Sequence, residues 1–438
     1  MKQGIMKIVI IGMVGLAQTV AAAPFTDEDI NNSFYPYNNW TPTAAGYTPG
    51  VIIDQSNVEQ YQAILDEALL RFVRDGWVTI RTAPTTDFPL SEDYVEATRQ
   101  YAGNVSLAEN GTLNDFVAGR AFPQEPQADD PLAGQKLVWN YQYGFNSGDS
   151  ETISPFWWTF RNVKTGKVER QLKFEWHFMN FSHRVTFDPR PAFEDNPGEI
   201  YRGIYSIVKE PFDLANTQLL IHRLEDGTKR DNIWLYVGFQ RRVRRLASGQ
   251  ITDSFLGSDL MVEDFEGYNG KVTDYTWEYA GTRNLLMPFI NHSDMELADV
   301  PKNDPDGFKF IDVEGQGNCF PKVTYQLRKS YTLIGRPKNP NHPIGKRVIN
   351  LDAQTMVMAS LVTYDRKGDM WKWFPITKAH ADHHLPVNKG KGVPVEDFAV
   401  VIDVQANHCT TLQFKSQITD EANQPKLFSV QNLRKVGR

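Results

Sequence analysis

Cysteine is almost missing from this chain: Cys319 and Cys409 are the only two among 438 residues. A cysteine-rich zinc module and a dense disulfide scaffold are both excluded, since each needs more thiols than this. In an oxidising compartment one bond between the pair is allowed; two buried thiols are the alternative. Basic charge is also short, with 46 Lys and Arg against 53 Asp and Glu and a formal net charge of −7. An acidic chain lacks the phosphate-neutralising surface that nucleic-acid binding needs. Beyond the N-terminus no stretch approaches about 18 apolar residues, the length that spans a bilayer as a helix, so stable membrane insertion is not expected. The sequence also has no Gly-x-Ser-x-Gly elbow, no phosphate loop and no dinucleotide fingerprint. Nothing in it places a base against either thiol. No enzyme is called for, and no cofactor.

What the chain does have begins with an export-like segment. Lys2 and Lys7 precede the apolar run Ile8 to Val20, and Val20-Ala21-Ala22 supplies the small residues that signal peptidase favours. Residues 1–22 therefore read as a cleaved signal peptide, with a retained anchor as the alternative. Cleavage takes the net charge to −9, because the segment holds two lysines and no acid. At 41% hydrophobic and 23% charged, the remainder can bury a large core.

Residues 23–55 carry Pro, Asn, Gly and Tyr without a period and read as an extended arm; residues 56–438 read as a single domain. Val58, Tyr61, Leu65, Ala68 and Phe72 recur at helical steps, predicting a helix over about 56–75. A second helix is expected over about 91–101, capped by Ser91 and stopped by Gly103. After Lys136 the period becomes two. "KLVWNYQYGF", "SPFWWTFRNV", "ERQLKFEWHFMNF", "TQLLIHR", "IWLY", "TYQLRKSYTL", "TMVMASLVTY", "MWKWF" and "DFAVVIDV" all read as strands. Short turns at Lys164–Lys167, Asp226-Gly227 and Asp365–Gly368 make neighbouring strands antiparallel. The expected fold is mainly β: one large curved antiparallel sheet, or an incomplete β-barrel, with the N-terminal helices as a lid.

Aromatic residues share faces along these strands. Phe174, Trp176 and Phe178 fall on one side of "KFEWHF", Phe156, Trp158 and Phe160 repeat the pattern, and Trp371 and Trp373 do so again. An ordinary core explains such faces. A sheet this wide must also curl, however, and whatever the helices leave uncovered becomes an apolar cavity. On that reading the eight aromatics wall the cavity, and Tyr61, Leu65 and Phe72 belong to the lid.

Two charged clusters remain. "IWLYVGFQRRVRRL" turns at Val237-Gly238-Phe239 and returns through Arg241, Arg242, Arg244 and Arg245. Asp259, Glu263, Asp264 and Glu266 follow closely, so a charge-paired sheet edge is favoured over anion or lipid-headgroup binding. "HADHH" would set His380 and His384 on one helix face as weak metal candidates. Ala381 stands where the metalloprotease pattern needs a glutamate, and the flanking residues favour a loop; no metal is assigned.

Several blocks resemble a large family of Gram-negative exported proteins labelled outer-membrane lipoprotein-sorting proteins. They are "SLAENGTLNDFVAGRAFP", "DDPLAGQKLVWNYQY", "KEPFDLANTQLL", "SFLGSDLMVEDFEGYNG" and "HPIGKRVINLDAQTMVMASLVTYDRKGDMWK", in the same order from about Ser56 onward. A more distant likeness is to the lipoprotein carrier LolA and the acceptor LolB, an incomplete antiparallel barrel under a helical lid. The resemblance implies a periplasmic carrier or chaperone for a lipid or other hydrophobic molecule. Its implied partners are an exporter of the resistance–nodulation–division type or an outer-membrane protein. The alternatives are an accessory factor that binds protein without lipid and a metal-dependent envelope hydrolase.

Overall fold

The computed structural model describes residues 25–298 and 306–437. The segment read as a signal peptide lies outside the described residues. The principal strands are β1 (Ser150–Asn162), β2 (Val168–Asn180), β3 (Ile200–Glu210), β4 (Gln218–Leu224), β5 (Asn232–Val237), β6 (Arg242–Arg245), β7 (Tyr275–Met287), β8 (Thr324–Pro337), β9 (Ile344–Asp352), β10 (Met358–Asp365), β11 (Met370–His380), β12 (Pro394–Asp403) and β13 (His408–Gln417). The helices are α1 (Asp27–Phe34), α2 (Glu67–Arg74), α3 (Glu92–Tyr101), α4 (Ala133–Gln142) and α5 (Val430–Val436).

One sheet gathers these strands in the order β8-β9-β10-β11-β12-β13-β1-β2-β3-β4-β5-β6, with β7 pairing antiparallel to β8 off this path. The chain enters in the middle at β1 and runs by hairpins to the edge at β6. It then crosses to the far half and returns by hairpins to β13, which pairs with β1. The pairing is antiparallel except where Ile80–Ala83 joins β8 and Phe289–Ile290 joins β11. Each predicted turn connects a hairpin, and Gly166 and Gly368 take the positive φ those turns require.

The sheet is open at β6 yet strongly curled, and two ion pairs show it. Asp264 accepts from Arg347 on β9 at 2.7 Å, and Glu266 accepts from Arg202 on β3 at 2.6 Å. These two acids are two residues apart, whereas β9 and β3 are seven strand steps apart in the sheet. A flat sheet would separate them by roughly 34 Å at 4.8 Å per step. The strands must therefore bend around the 254–274 segment, which lies inside the curve.

Both faces are covered. The inner face packs against α4 and residues 255–277, forming one cluster from Tyr331 and Ile349 across to Ile221 and Ile233. The outer face carries α2, α3 and residues 310–325 over β10 to β13. Farther along, α5 and the 3-10 turn before it cover β3 to β5 through Leu433 and Phe428. A central strand such as β12 is consequently buried along its whole length, which explains its unbroken apolar run.

Four local readings differ from expectation. "KLVWNYQY" is a helix, not a strand. Ala133, Leu137, Val138 and Tyr141 also repeat at helical spacing, and Asn140 is locked by hydrogen bonds with the Phe122 amide and carbonyl at 2.9 and 2.7 Å. The arm contains α1, held by a capping box between Thr26 and Asp29. The helix expected over 56–75 is broken into a 3-10 turn, Val58–Ile64, and α2. Asp66 makes the break by leaving helical geometry and accepting from the Leu69 amide at 2.8 Å. Strands β3, β7, β9 and β13 were not expected at all.

Candidate functional site: the interior of the curled sheet

Phe156, Trp158, Phe160, Phe174, Trp176 and Phe178 all point inward and lie in one buried cluster. Neighbouring rings meet at 5.0 Å for Trp158–Phe174 and 5.8 Å for Phe156–Trp176. The space they face is occupied. Phe265 stands 5.1 Å from Trp176 and 6.3 Å from Trp158, and Phe255 lies 5.9 Å from Trp158. Leu260, Val262 and Tyr268 complete this plug, with Leu137, Val138 and Trp139 of α4 beside it. The six aromatics therefore bound a packed core and not a void.

Trp373 faces the other way, against Phe72 at 5.3 Å and Phe320 at 5.9 Å. Trp371 shares its side of β11, is half-buried, and donates its indole N–H to Asp403 at 2.8 Å. Tyr61, Leu65 and Phe72 belong to this same outer cluster. The sheet thus separates the two aromatic groups that sequence reasoning combined, and α2 covers the outer face. The plug, not a helix, lies on the aromatic wall; α4, whose alternating Leu137, Trp139 and Tyr141 mimic a strand, packs beside it against β7 and β8.

Buried arginines clamp the plug from three strands. Arg347 binds Asp264 and Glu263, the latter at 2.9 Å, and Arg202 binds Glu266. Arg223 donates to the Asn269 side chain at 2.7 Å and to the Gly270 carbonyl at 3.1 Å. Burial raises the Glu263 pKa, but Arg347 and His342 outweigh it, and the carboxyl is held below its ordinary value. Asp259 accepts from His408 at 2.7 Å and Thr410 at 2.6 Å. All four acids expected to pair with the arginine hairpin are thereby committed elsewhere. Arg241, Arg242, Arg244 and Arg245 form no ion pair among the described residues; Arg244 donates to Gln240 at 2.6 Å and Arg245 to Asn232.

Between the plug and the edge strands a cavity of about 400 Å³ remains. Ile233, Leu246, Ile251 and Val262 form its apolar part, and Arg230, Arg245 and Lys271 bring basic groups to it. Of the acids beside it, Glu263 faces Arg347 and Asp231 lies 3.5 Å from Arg223, and Asp274 is the third. None of the eight aromatics proposed as a wall lines this space. Sequence reasoning reached Ile233 and Leu246 through the hairpin motif but had no signal for Ile251 or Lys271.

The histidine run is divided. Residues 381–383 form a single 3-10 turn, so His380 and His384 do not share a helix face. His380 donates to the Pro89 carbonyl at 3.1 Å, whereas His384 turns toward Asp397 and His292. Cys319 and Cys409 are bonded, with Cα atoms 6.2 Å apart, tying the segment before β8 to β13 on the outer face. Among the described residues, no helix is long and apolar enough to cross a membrane.

No curated protein matches the chain. Among solved structures it is similar to an outer membrane lipoprotein-sorting protein domain from Vibrio parahaemolyticus, at 15% identity and TM-score 0.47, covering 70% of this chain and 100% of that one. It is also similar to a DUF1329 family protein from Desulfovibrio piger, at 16% identity and TM-score 0.47, covering 69% and 99%. A LolA superfamily protein from Nitrosomonas europaea aligns at 11% identity and TM-score 0.36, covering 65% and 91%. The DUF1329 sequence profile, described as a protein of unknown function, matches residues 52–434. The chain belongs to the DUF1329 family.

Proposed function

We propose that this protein is a periplasmic carrier for a small amphipathic molecule with an anionic head, bound between the plug and the edge strands. The observation that carries the reading is the cavity of about 400 Å³, with apolar residues on one side and basic groups on the other. That size falls in the lower range of small-molecule sites, roughly 300–1,000 Å³. Glu263 and Asp231 already face arginines, so Arg230, Arg245 and Lys271 outnumber Asp274, the third acid of the lining, and leave the opening suited to an anion. Each methylene buried against Ile233, Leu246, Ile251 and Val262 contributes about 0.8 kcal/mol, and six of them contribute about 5 kcal/mol. The export-like N-terminus supports the periplasmic setting.

The test is direct. Purified protein should yield an extractable acyl or ring-containing anion by mass spectrometry, and it should raise the fluorescence of an anionic apolar dye. Ile251→Trp, which fills the cavity from a half-buried position, should abolish the dye response while the protein stays folded. An empty extract with no dye response, or an unchanged response in Ile251→Trp, would sink the reading.

A second reading has its own observation. Phe212 is 97% exposed and Phe239 76% exposed, on hairpin loops leaving the same sheet end, since Gln218 pairs with Tyr236. The loops touch: a Cβ on Gly238 would lie 2.5 Å from the Ala215 carbonyl. Beside the exposed arginines this end suits an acidic protein partner, such as an envelope transporter. Salt-sensitive recovery of a transporter without lipid, lost in Phe212→Ser/Phe239→Ser, would favour it.

A further inference from the structure

His292 lies in the turn after Phe289–Ile290, His384 ends the turn after β11, and Asp397 sits on β12. Their side chains are 7%, 0% and 0% exposed. His292 Nδ1 stands 2.8 Å from one oxygen of Asp397, and His384 Nε2 stands 3.7 Å from the other. One donor atom from each residue falls within 4.8 Å of the other two. His384 Nε2 is too far from the carboxylate for a hydrogen bond and has no hydrogen-bond partner among the described residues. A fully buried ring nitrogen left this way calls for an explanation.

We propose that these three residues bind one divalent transition-metal ion of the zinc class. Zinc at about 2.0–2.2 Å from N and O donors, in tetrahedral geometry, sets those donors roughly 3.3–3.5 Å apart. The distances of 2.8 and 3.7 Å bracket that separation, and all three donors lie within 4.8 Å of one another, so side-chain shifts of up to about an ångström would seat the ion. An ion there would partner the orphaned nitrogen and take the place of the proton between His292 and Asp397.

The surroundings support ligation. His292 donates to the Lys309 backbone carbonyl and His384 to that of Ser416. Outer partners of this kind fix ring orientation and leave the inner nitrogens for metal. The Phe308 ring stacks on His292 at 5.0 Å and lies 5.5 Å from His384. It closes one side, which favours a compact zinc-type site over an iron triad with several open positions. The Lys415 ammonium, the nearby cation, engages the Asp306 carboxylate. The site would fasten the turns carrying His292 and His384 onto β12.

The experiment uses the full, tag-free protein, stripped with a chelator, incubated with Zn²⁺ and passed through gel filtration. Elemental analysis should find one zinc per chain, and Co²⁺ should give visible d–d absorption. His384→Ala and Asp397→Asn should each reduce zinc at least fivefold, while His383→Ala, an exposed neighbour, retains it. Zinc should raise the melting temperature of the stripped wild type and leave that of His384→Ala unchanged. Less than a tenth of an equivalent in the wild type, or full zinc in a folded His384→Ala, overturns the proposal.

Discussion

Replacing Arg347 with methionine tests whether the plug is held by charge. Arg347 is fully buried, and its guanidinium meets Asp264 at 2.7 Å and Glu263 at 2.9 Å, with His342 Nε2 3.2 Å from Glu263. Methionine keeps much of the apolar stem but leaves two nearly buried carboxylates without their cation. Breaking a buried pair in this way costs about 3–5 kcal/mol. With an unfolding entropy of about 2.1 cal/mol/K per residue, the loss corresponds to a drop of about 3–5 °C in melting temperature.

The pH dependence gives the sharper result. In the wild type the folded Glu263 pKa is lowered, so its stabilisation is present above the ordinary carboxylate pKa and disappears as pH falls through the lowered value. In the variant, burial without Arg347 should raise that pKa, and the folded state should prefer the protonated acid. The deficit should then be smaller near pH 4.5 than at pH 7.5. Differential scanning calorimetry across that range measures it. A deficit that does not change with pH would refute charge clamping and reduce Arg347 to packing.

Three further outcomes follow from packing, covalent and charge constraints. Phe265→Ala should cost about 3–5 kcal/mol and leave a void between Trp158 and Trp176; calorimetry should show the loss and an apolar dye should bind more strongly. Reducing Cys319–Cys409, which are 90 residues apart in sequence, should remove about 4–5 kcal/mol by the chain-entropy relation, measured as the difference in melting with and without dithiothreitol. Burial pushes the Glu151 carboxyl up to about 7, so its protonated folded form is favoured below the ordinary pKa and that stability is lost as pH rises through about 7. Glu151→Gln should therefore melt with the wild type near pH 4.5 and exceed it at pH 8 by about 3 kcal/mol; identical curves would contradict this.

The long strands that could be read from sequence share a simple feature: apolar residues every second position on at least one face. Thus β1, β2 and β12 were legible, and so were the hairpin turns at Gly166 and Gly368. Strands β9 and β13 were not, because their buried positions carry Arg347, Thr410, Thr411 and Gln413. Those polar groups are satisfied by residues far away in sequence: Arg347 by Glu263 and Asp264, Gln413 by the Ile311 carbonyl at 2.8 Å. Local periodicity cannot register a partner a hundred residues distant. The same blindness hid His292 and Asp397, which reach His384 only through the fold.

The arginine hairpin shows how proximity in sequence misleads in a curled sheet. Glu263 and Asp264 follow Arg241–Arg245 within about twenty residues, and chain distance alone made them natural partners. Curling brings β9 and β3 nearer to the plug than the adjacent hairpin is, so buried arginines from distant strands take those acids. A buried pair of this kind is retained only when its geometry offsets desolvation, and here Arg347 meets two carboxylates at once. The hairpin arginines are left facing water at the β6 edge of the sheet, beside the cavity that Arg245 helps to line. Interior closure and exterior charge are thus consequences of the same bend. Uncurling the sheet by loosening the plug should expose its aromatic face and return the acids to solvent together.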